Sequence, residues 1–246
     1  MRTEGSHTLL QGTSRQAGEE IFGDYKVKLE MPPAIFCWYT YYMIIEVDEY
    51  KKQVVGYDAN KSEEFHLESA KLADKDFTNC LKSKKYKRII FMAGGTASGK
   101  TEFASSYLTH KDQLVYDGTL KSFDGFKIKL ERIERYDKNK SKVKVVLILP
   151  ADWVKAFQVF LKRERKMKNI TFFETHIKSK LAVVRILRET KVRVEIYVSD
   201  YEEGKDKLGF TRIKIIDRIK TSLALQKTAE MMEKNALNNG FDINIK

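Results

Sequence analysis

One stretch constrains this chain more than any other: Lys87-Tyr-Lys-Arg-Ile-Ile-Phe-Met-Ala-Gly-Gly-Thr-Ala-Ser-Gly-Lys-Thr101. Arg88 to Ala93 is short, apolar and partly β-branched, and so predicts a strand. Glycines then turn the chain into an amphipathic helix. Gly94, Gly99, Lys100 and Thr101 fit the spacing G-x-x-x-x-G-K-[ST] of a phosphate-binding loop. A loop that curls round an anion must point backbone N–H groups inward and keep bulky side chains away. The helix that follows presents free N–H groups and a positive dipole end to the same anion. The expected phosphate-binding set is Gly94, Gly95, Thr96, Ala97, Ser98, Gly99, Lys100 and Thr101. Lys100 would reach the β/γ-phosphates, and the Thr101 hydroxyl would hold Mg²⁺.

A fold class follows from what comes after. Gln113 to Tyr116 predicts a second strand and Val143 to Leu149 a third. Helices are expected in Gly99–Thr109, in Leu120–Tyr136, from Trp153 to about Lys168, and over Thr171–Glu189. Asp152 stands where it could cap the third of these or sit in its first turn. Val192 to Val198 predicts a fourth strand, Ser199 to Gly209 a charged loop, and Ile213 to about Asn235 a last helix. Alternating strands and helices imply a parallel sheet with right-handed crossovers. The expected architecture is α/β, a three-layer P-loop NTPase- or kinase-like sheet with helices on both faces. Residues 1–86 read as an N-terminal α+β extension, and 87–246 as the phosphate-loop domain. Within the extension, residues 1–25 read as a loose polar arm, 26–60 as β structure and 61–82 as a helix.

The second strand runs into Asp117-Gly-Thr-Leu120. A carboxylate at the carboxyl end of a strand beside the phosphate loop lies over the binding crevice. There Asp117 can hold Mg²⁺ through water or accept a proton from an attacking hydroxyl. Gly118 permits close backbone approach, and Thr119 offers a hydroxyl to substrate. Asp-Gly is also a common turn pair. The third strand ends Leu147-Ile-Leu-Pro150 with no acid, which leaves Asp117 as the leading acidic candidate.

Composition narrows the setting. The net charge is +12, with 12 Lys/Arg against 14 Asp/Glu in residues 1–86 and 34 against 20 in residues 87–246. The half with the phosphate loop therefore carries the whole excess, a field that attracts polyanions such as nucleotides, nucleotide sugars or nucleic acid. A solvated Lys-rich surface has the same composition. The two cysteines, Cys37 and Cys80, make neither a disulfide framework nor a zinc site, and fit a reducing cytoplasmic setting. There is no apolar run long enough to span a bilayer and no apolar signal core at the N-terminus.

Several segments, in this order, resemble the zeta-toxin family of P-loop kinases over roughly residues 87–201. They are Gly94 to Thr101, Asp117-Gly-Thr-Leu120, the strand Val143 to Leu149 with Pro150, Arg163-Glu-Arg165, His176, and Glu195-Ile-Tyr-Val-Ser-Asp200. The resemblance implies ATP- and Mg²⁺-dependent phosphorylation of a hydroxyl, in well-known members that of a UDP-linked amino sugar such as UDP-N-acetylglucosamine, and an antitoxin partner that holds the kinase inactive. It implies catalytic roles for Lys100, Asp117 and for Arg163 or Arg165 as the charge-neutralising arginine, a substrate contact at Thr119, and metal contacts at Thr101 and Asp117. The run Lys162-Arg-Glu-Arg-Lys166 also reads as a solvated helix end, and His176 as a packing residue. The chain departs from the family pattern in one respect. Only 15 residues separate Thr101 from Asp117, so the usual acid-bearing strand and substrate-binding insertion are missing between them. Either Asp117 takes the base role itself or the base has been lost. Two other readings compete: a polynucleotide or other nucleic-acid kinase, favoured by the charge, and a nucleotide-binding module without chemistry.

Overall fold

The computed structural model describes residues 42–83, 86–137, 142–164, 167–201 and 208–241. All of them lie in one unit, Pro33–Lys246. Among them, five strands run parallel: β1 (Tyr42–Glu46), β2 (Arg88–Ala93), β3 (Gln113–Asp117), β4 (Lys142–Pro150) and β5 (Arg193–Asp200). A sixth, β6 (Gly209–Ile213), pairs antiparallel with β5. The spatial order is β1-β3-β2-β4-β5-β6. The helices are α1 (His66–Lys82), α2 (Lys100–Tyr107), α3 (Phe123–Tyr136), α4 (Trp153–Leu161), α5 (Asn169–Glu189) and α6 (Arg218–Asn238).

β2 is the strand on which the layers are built. Its side chains alternate between two faces. Ile89, Phe91 and Ala93 enter a core with Phe77 of α1, Phe126 of α3 and Val183 of α5. Ile90 and Met92 enter a second core with Phe103 and Ala104 of α2. A strand covered on both sides reads as an unbroken apolar run, and Ile-Ile-Phe-Met-Ala is one. A third cluster joins Phe160 of α4, Phe172 and Ile177 of α5, and Met232 of α6 to Ala97 of the phosphate loop. The expected three layers are therefore present. β3 lies on one side of β2 and β4 on the other, so the strand order reverses at β2. That reversal opens a crevice at the carboxyl end of β2, where open α/β sheets bind ligands.

The structure corrects four sequence expectations. The boundary at 86/87 falls inside one sheet: β1 pairs with β3 in parallel register from Tyr42↔Gln113 to Glu46↔Asp117. α1 packs with the rest of the same core through Phe77. The helix begun at Trp153 ends at Leu161 and not near Lys168, because its apolar face stops where five charged residues begin. Gly209–Ile213 is an edge strand and not the junction of a loop and a helix. The last helix starts at Arg218, where Asp217 caps the N–H groups of Ile219 and Lys220 at 2.8 and 3.0 Å. Asp152 is the cap of α4, accepting from Val154 and Lys155 at 2.8 and 3.1 Å. The readings of residues 1–25 and of the β structure before Tyr42 lie outside the described residues. No helix among the described residues is long and apolar enough to cross a membrane.

Candidate active site

The loop from Gly94 to Thr101 occupies the crevice. At Gly94, φ is +135°, and a Cβ there would stand 2.5 Å from the Ile148 carbonyl oxygen. At Gly95 a Cβ would fall 2.1 Å from the His176 ring. Gly99 is the residue before α2, with φ at +86°. The three glycines are thus required by backbone conformation, by close approach, or by both. Ala97 adopts φ +60° without being glycine, and the Tyr201 hydroxyl donates to its carbonyl.

α5 holds the loop from below. Ser179 Oγ accepts the Gly94 N–H at 2.7 Å. Thr175 Oγ1 accepts the Thr96 N–H at 3.1 Å and lies 2.8 Å from Thr96 Oγ1. Thr175 donates its own proton to the Phe172 carbonyl at 3.0 Å, so the Thr96 hydroxyl is the donor in that pair. His176 Nε2 lies 2.9 Å from the Thr96 carbonyl oxygen. A carbonyl only accepts, so Nε2 carries the proton and Nδ1 is bare. Nδ1 is buried and has no hydrogen-bond partner. Burial holds the imidazole well below its usual range, so the ring is neutral.

Above the loop lie the groups that face a ligand. The first helical bond of α2 runs from the Phe103 N–H to the Gly99 carbonyl at 2.9 Å. The amides just ahead of it remain available to an anion. Lys100 Nζ donates to the Gly95 carbonyl at 2.7 Å. Burial lowers its affinity for the proton, and the charge of Asp117 opposes that. Thr101 Oγ1 donates to Asp117 Oδ2 at 3.0 Å. Asp117 is buried, and burial raises its carboxyl above the usual range against the pull of Lys100 and Thr101.

A cavity of about 700 Å³ opens over these residues and is shared by Lys100, Thr101, Asp117, Thr119, Arg163 and Glu46. Tyr116 and Phe126 form part of its wall. Tyr116 is fixed by its hydroxyl, which donates to Asp74 at 2.7 Å. Asp74 is in turn paired with Lys129 at 2.9 Å and Arg132 at 3.2 Å. Arg163 stands on the segment after α4, at the cavity rim. Arg165 lies outside the described residues. The turn after Asp117 places Leu120 at φ +48°, a strained conformation of the kind that clusters at ligand sites.

The structure thus brings Gly94 to Thr101, Asp117, Thr119 and Arg163 into one place. Sequence reasoning missed Thr175 and Ser179, whose polar side chains on a mostly apolar helix were the available signal. It also missed Glu46, an acid closing an apolar strand. Its carboxyl is raised first by burial and then by the charge of Asp117.

No protein-family model matches the chain, and a search of curated proteins returned no match. Among solved structures, the chain is similar to one described in a molecular and structural characterization of the PezAT chromosomal toxin-antitoxin system of Streptococcus pneumoniae. The identity is 14% and the TM-score 0.40, over 80% of this chain and 74% of that one.

Proposed function

We propose that this chain is an ATP-dependent kinase that transfers the γ-phosphate of ATP to a hydroxyl of a small molecule or nucleotide sugar. The observation that carries the proposal is the contact of Thr101 with Asp117 at 3.0 Å, set beside Lys100 above a glycine-built loop. A hydroxyl and a carboxylate oxygen are hard donors of the type Mg²⁺ takes. Among the described residues no group of three or more His, Cys, Asp or Glu side chains could hold a metal alone. A nucleotide-borne Mg²⁺ needs only one or two protein oxygens, because phosphates and water complete its shell. Thr101 and Asp117 would hold it, and it would neutralise charge on the transferring phosphoryl group.

The remaining work falls to the chain itself. The amides at the start of α2 bind the phosphates. Lys100 leaves the Gly95 carbonyl for the β/γ-phosphates. Arg163 or Arg165 supplies positive charge as the phosphoryl group moves. Thr119 orients the acceptor. Transfer then depends on positioning and charge neutralisation rather than on covalent chemistry. The sequence resemblance extends the proposal to UDP-N-acetylglucosamine as an acceptor, to an antitoxin protein as a partner, and to a cytoplasmic setting.

The test is transfer from γ-labelled ATP with Mg²⁺ to a panel of nucleotide sugars, nucleosides and 5′-hydroxyl oligonucleotides. Lys100→Ala should lower labelling at least about 100-fold. Unchanged labelling in that variant would remove the site assignment. The excess positive charge of residues 87–246 favours a second reading as a nucleic-acid kinase. Exclusive labelling of the oligonucleotide would select it. Tight ATP binding with no product in any arm would select a nucleotide-binding module.

A further inference from the structure

The edge of the sheet is filled from upstream of the phosphate loop. β1 precedes the loop in sequence, yet it pairs outside β3 and sets Glu46 opposite Asp117. Both acids belong to the face that carries α2. Ile44 and Val115, two residues before each, pack in the α2 core, and side chains two apart share a face. Parallel neighbours lie about 4.8 Å apart, so the two carboxylates leave adjacent strand ends on the same side. Both line the cavity with Lys100 and Thr101.

Their surroundings differ. Asp117 accepts the Thr101 hydroxyl. Glu46 receives no hydrogen bond and makes no ion pair with any described residue. Lys52, whose charge lowers the Glu46 carboxyl, and Lys51 both form ion pairs with other acids. Lys52 is bound to Glu49 at 2.6 Å, and Lys51 to Asp48 at 3.0 Å and to Ser62 at 3.1 Å. That leaves one half-buried carboxylate facing the cavity with open acceptor positions. Open acceptor positions on a carboxylate that lines the cavity can take a ligand hydroxyl as donor.

We propose that Glu46 is the general base of the phosphoryl transfer, receiving the proton of the acceptor hydroxyl, while Asp117 stays with Thr101 on the metal side. The inference rests on the kinase reading. The acceptor oxygen bonds to the γ-phosphorus, and the bond from that phosphorus to the bridging oxygen of ADP breaks. The electron pair departs on ADP, and the proton passes to the Glu46 carboxylate and then to water. The base is thereby supplied from before the phosphate loop, at the sheet edge beside Asp117, and the short spacing between Thr101 and Asp117 no longer means that it is lost.

The experiment compares wild type, Glu46→Gln, Glu46→Asp and Asp117→Asn as full chains. Turnover of Mg·ATP is followed with the acceptor panel and with water as acceptor, and Mn²⁺·ADP binding is followed by electron paramagnetic resonance. Expected for Glu46→Gln is a fall in turnover of at least about 100-fold, within the range for a general base, with Mn²⁺·ADP affinity within threefold of wild type and an undiminished melting temperature. Glu46→Asp should recover part of the turnover. Asp117→Asn should lose Mn²⁺·ADP affinity. Turnover of Glu46→Gln within threefold of wild type would overturn the assignment and leave the kinase reading standing. Loss of Mn²⁺ affinity in Glu46→Gln would make Glu46 a metal ligand and also overturn it. A wild type that binds ATP and turns over with no acceptor, water included, would remove the kinase reading and this inference with it.

Discussion

Gly95 shows how a single position is set by its neighbour. Its φ is unremarkable, and the demand for glycine comes from the His176 ring, 2.1 Å from where a Cβ would stand. Gly56 is the opposite case, with φ at +77° and nothing within 4 Å of its added Cβ. Gly95→Ala should therefore destabilise the fold by about 1–3 kcal/mol, as overpacking does, and weaken ATP binding. Gly56→Ala should cost about 1–2 kcal/mol of left-handed backbone strain and leave ATP binding unchanged. Urea unfolding and ATP titration of both variants check this. In a double-mutant cycle, His176→Ala should recover part of the Gly95→Ala loss, because the two positions are in contact. Additive losses would show that the ring is not the obstacle.

At the scale of elements, α5 acts as the bed of the loop. Thr175, His176 and Ser179 lie on one helical face, at i, i+1 and i+4, and each meets a backbone group of Gly94 or Thr96. Ser179→Ala would leave the Gly94 N–H with only the Thr119 carbonyl at 3.4 Å. The expected loss is about 1–3 kcal/mol of stability. Affinity for ATP should weaken as the loop loses its pre-set shape, and chemical denaturation and nucleotide titration read the two effects separately. This division also explains what the sequence could disclose. The phosphate loop was legible because its requirements are local: a buried strand, glycines at fixed offsets, a lysine and a hydroxyl before a helix. Thr175 and Ser179 were not, since their partners lie 79 and 85 residues away. Glu46 was hidden for the same reason, as parallel pairing of β1 with β3 leaves no mark at either strand. β6 escaped because it is a short, exposed edge strand. The apolar residues Ile213, Ile216 and Ile219 that follow from it repeat at helical spacing, although Asp217 marks where the helix begins.

For the whole molecule, the buried groups beneath and above the loop pull stability in opposite directions with pH. His176 is neutral in the folded chain, with its affinity for protons held well below the ordinary value of 6.5. As pH falls through 6.5 the unfolded chain binds a proton that the folded chain refuses. Stability then declines by up to about 1.4 kcal/mol per pH unit until the folded ring titrates. Asp117 and Glu46 carry raised carboxyls. Below their folded values and above the unfolded ones, the folded chain binds the extra proton, so they add stability as pH falls. The histidine's window opens at 6.5, and a variant without the imidazole separates its share from that of the acids. Urea unfolding at pH 7.5, 6.5 and 5.5 reads the balance, and the histidine's share is lost between the last two. His176→Gln keeps a donor for the Thr96 carbonyl and has no proton to take up, so its decline over that interval should be shallower by about 1 kcal/mol. Parallel curves for the two proteins would mean that the folded chain protonates His176 as readily as the unfolded chain does, and that burial does not hold the ring neutral.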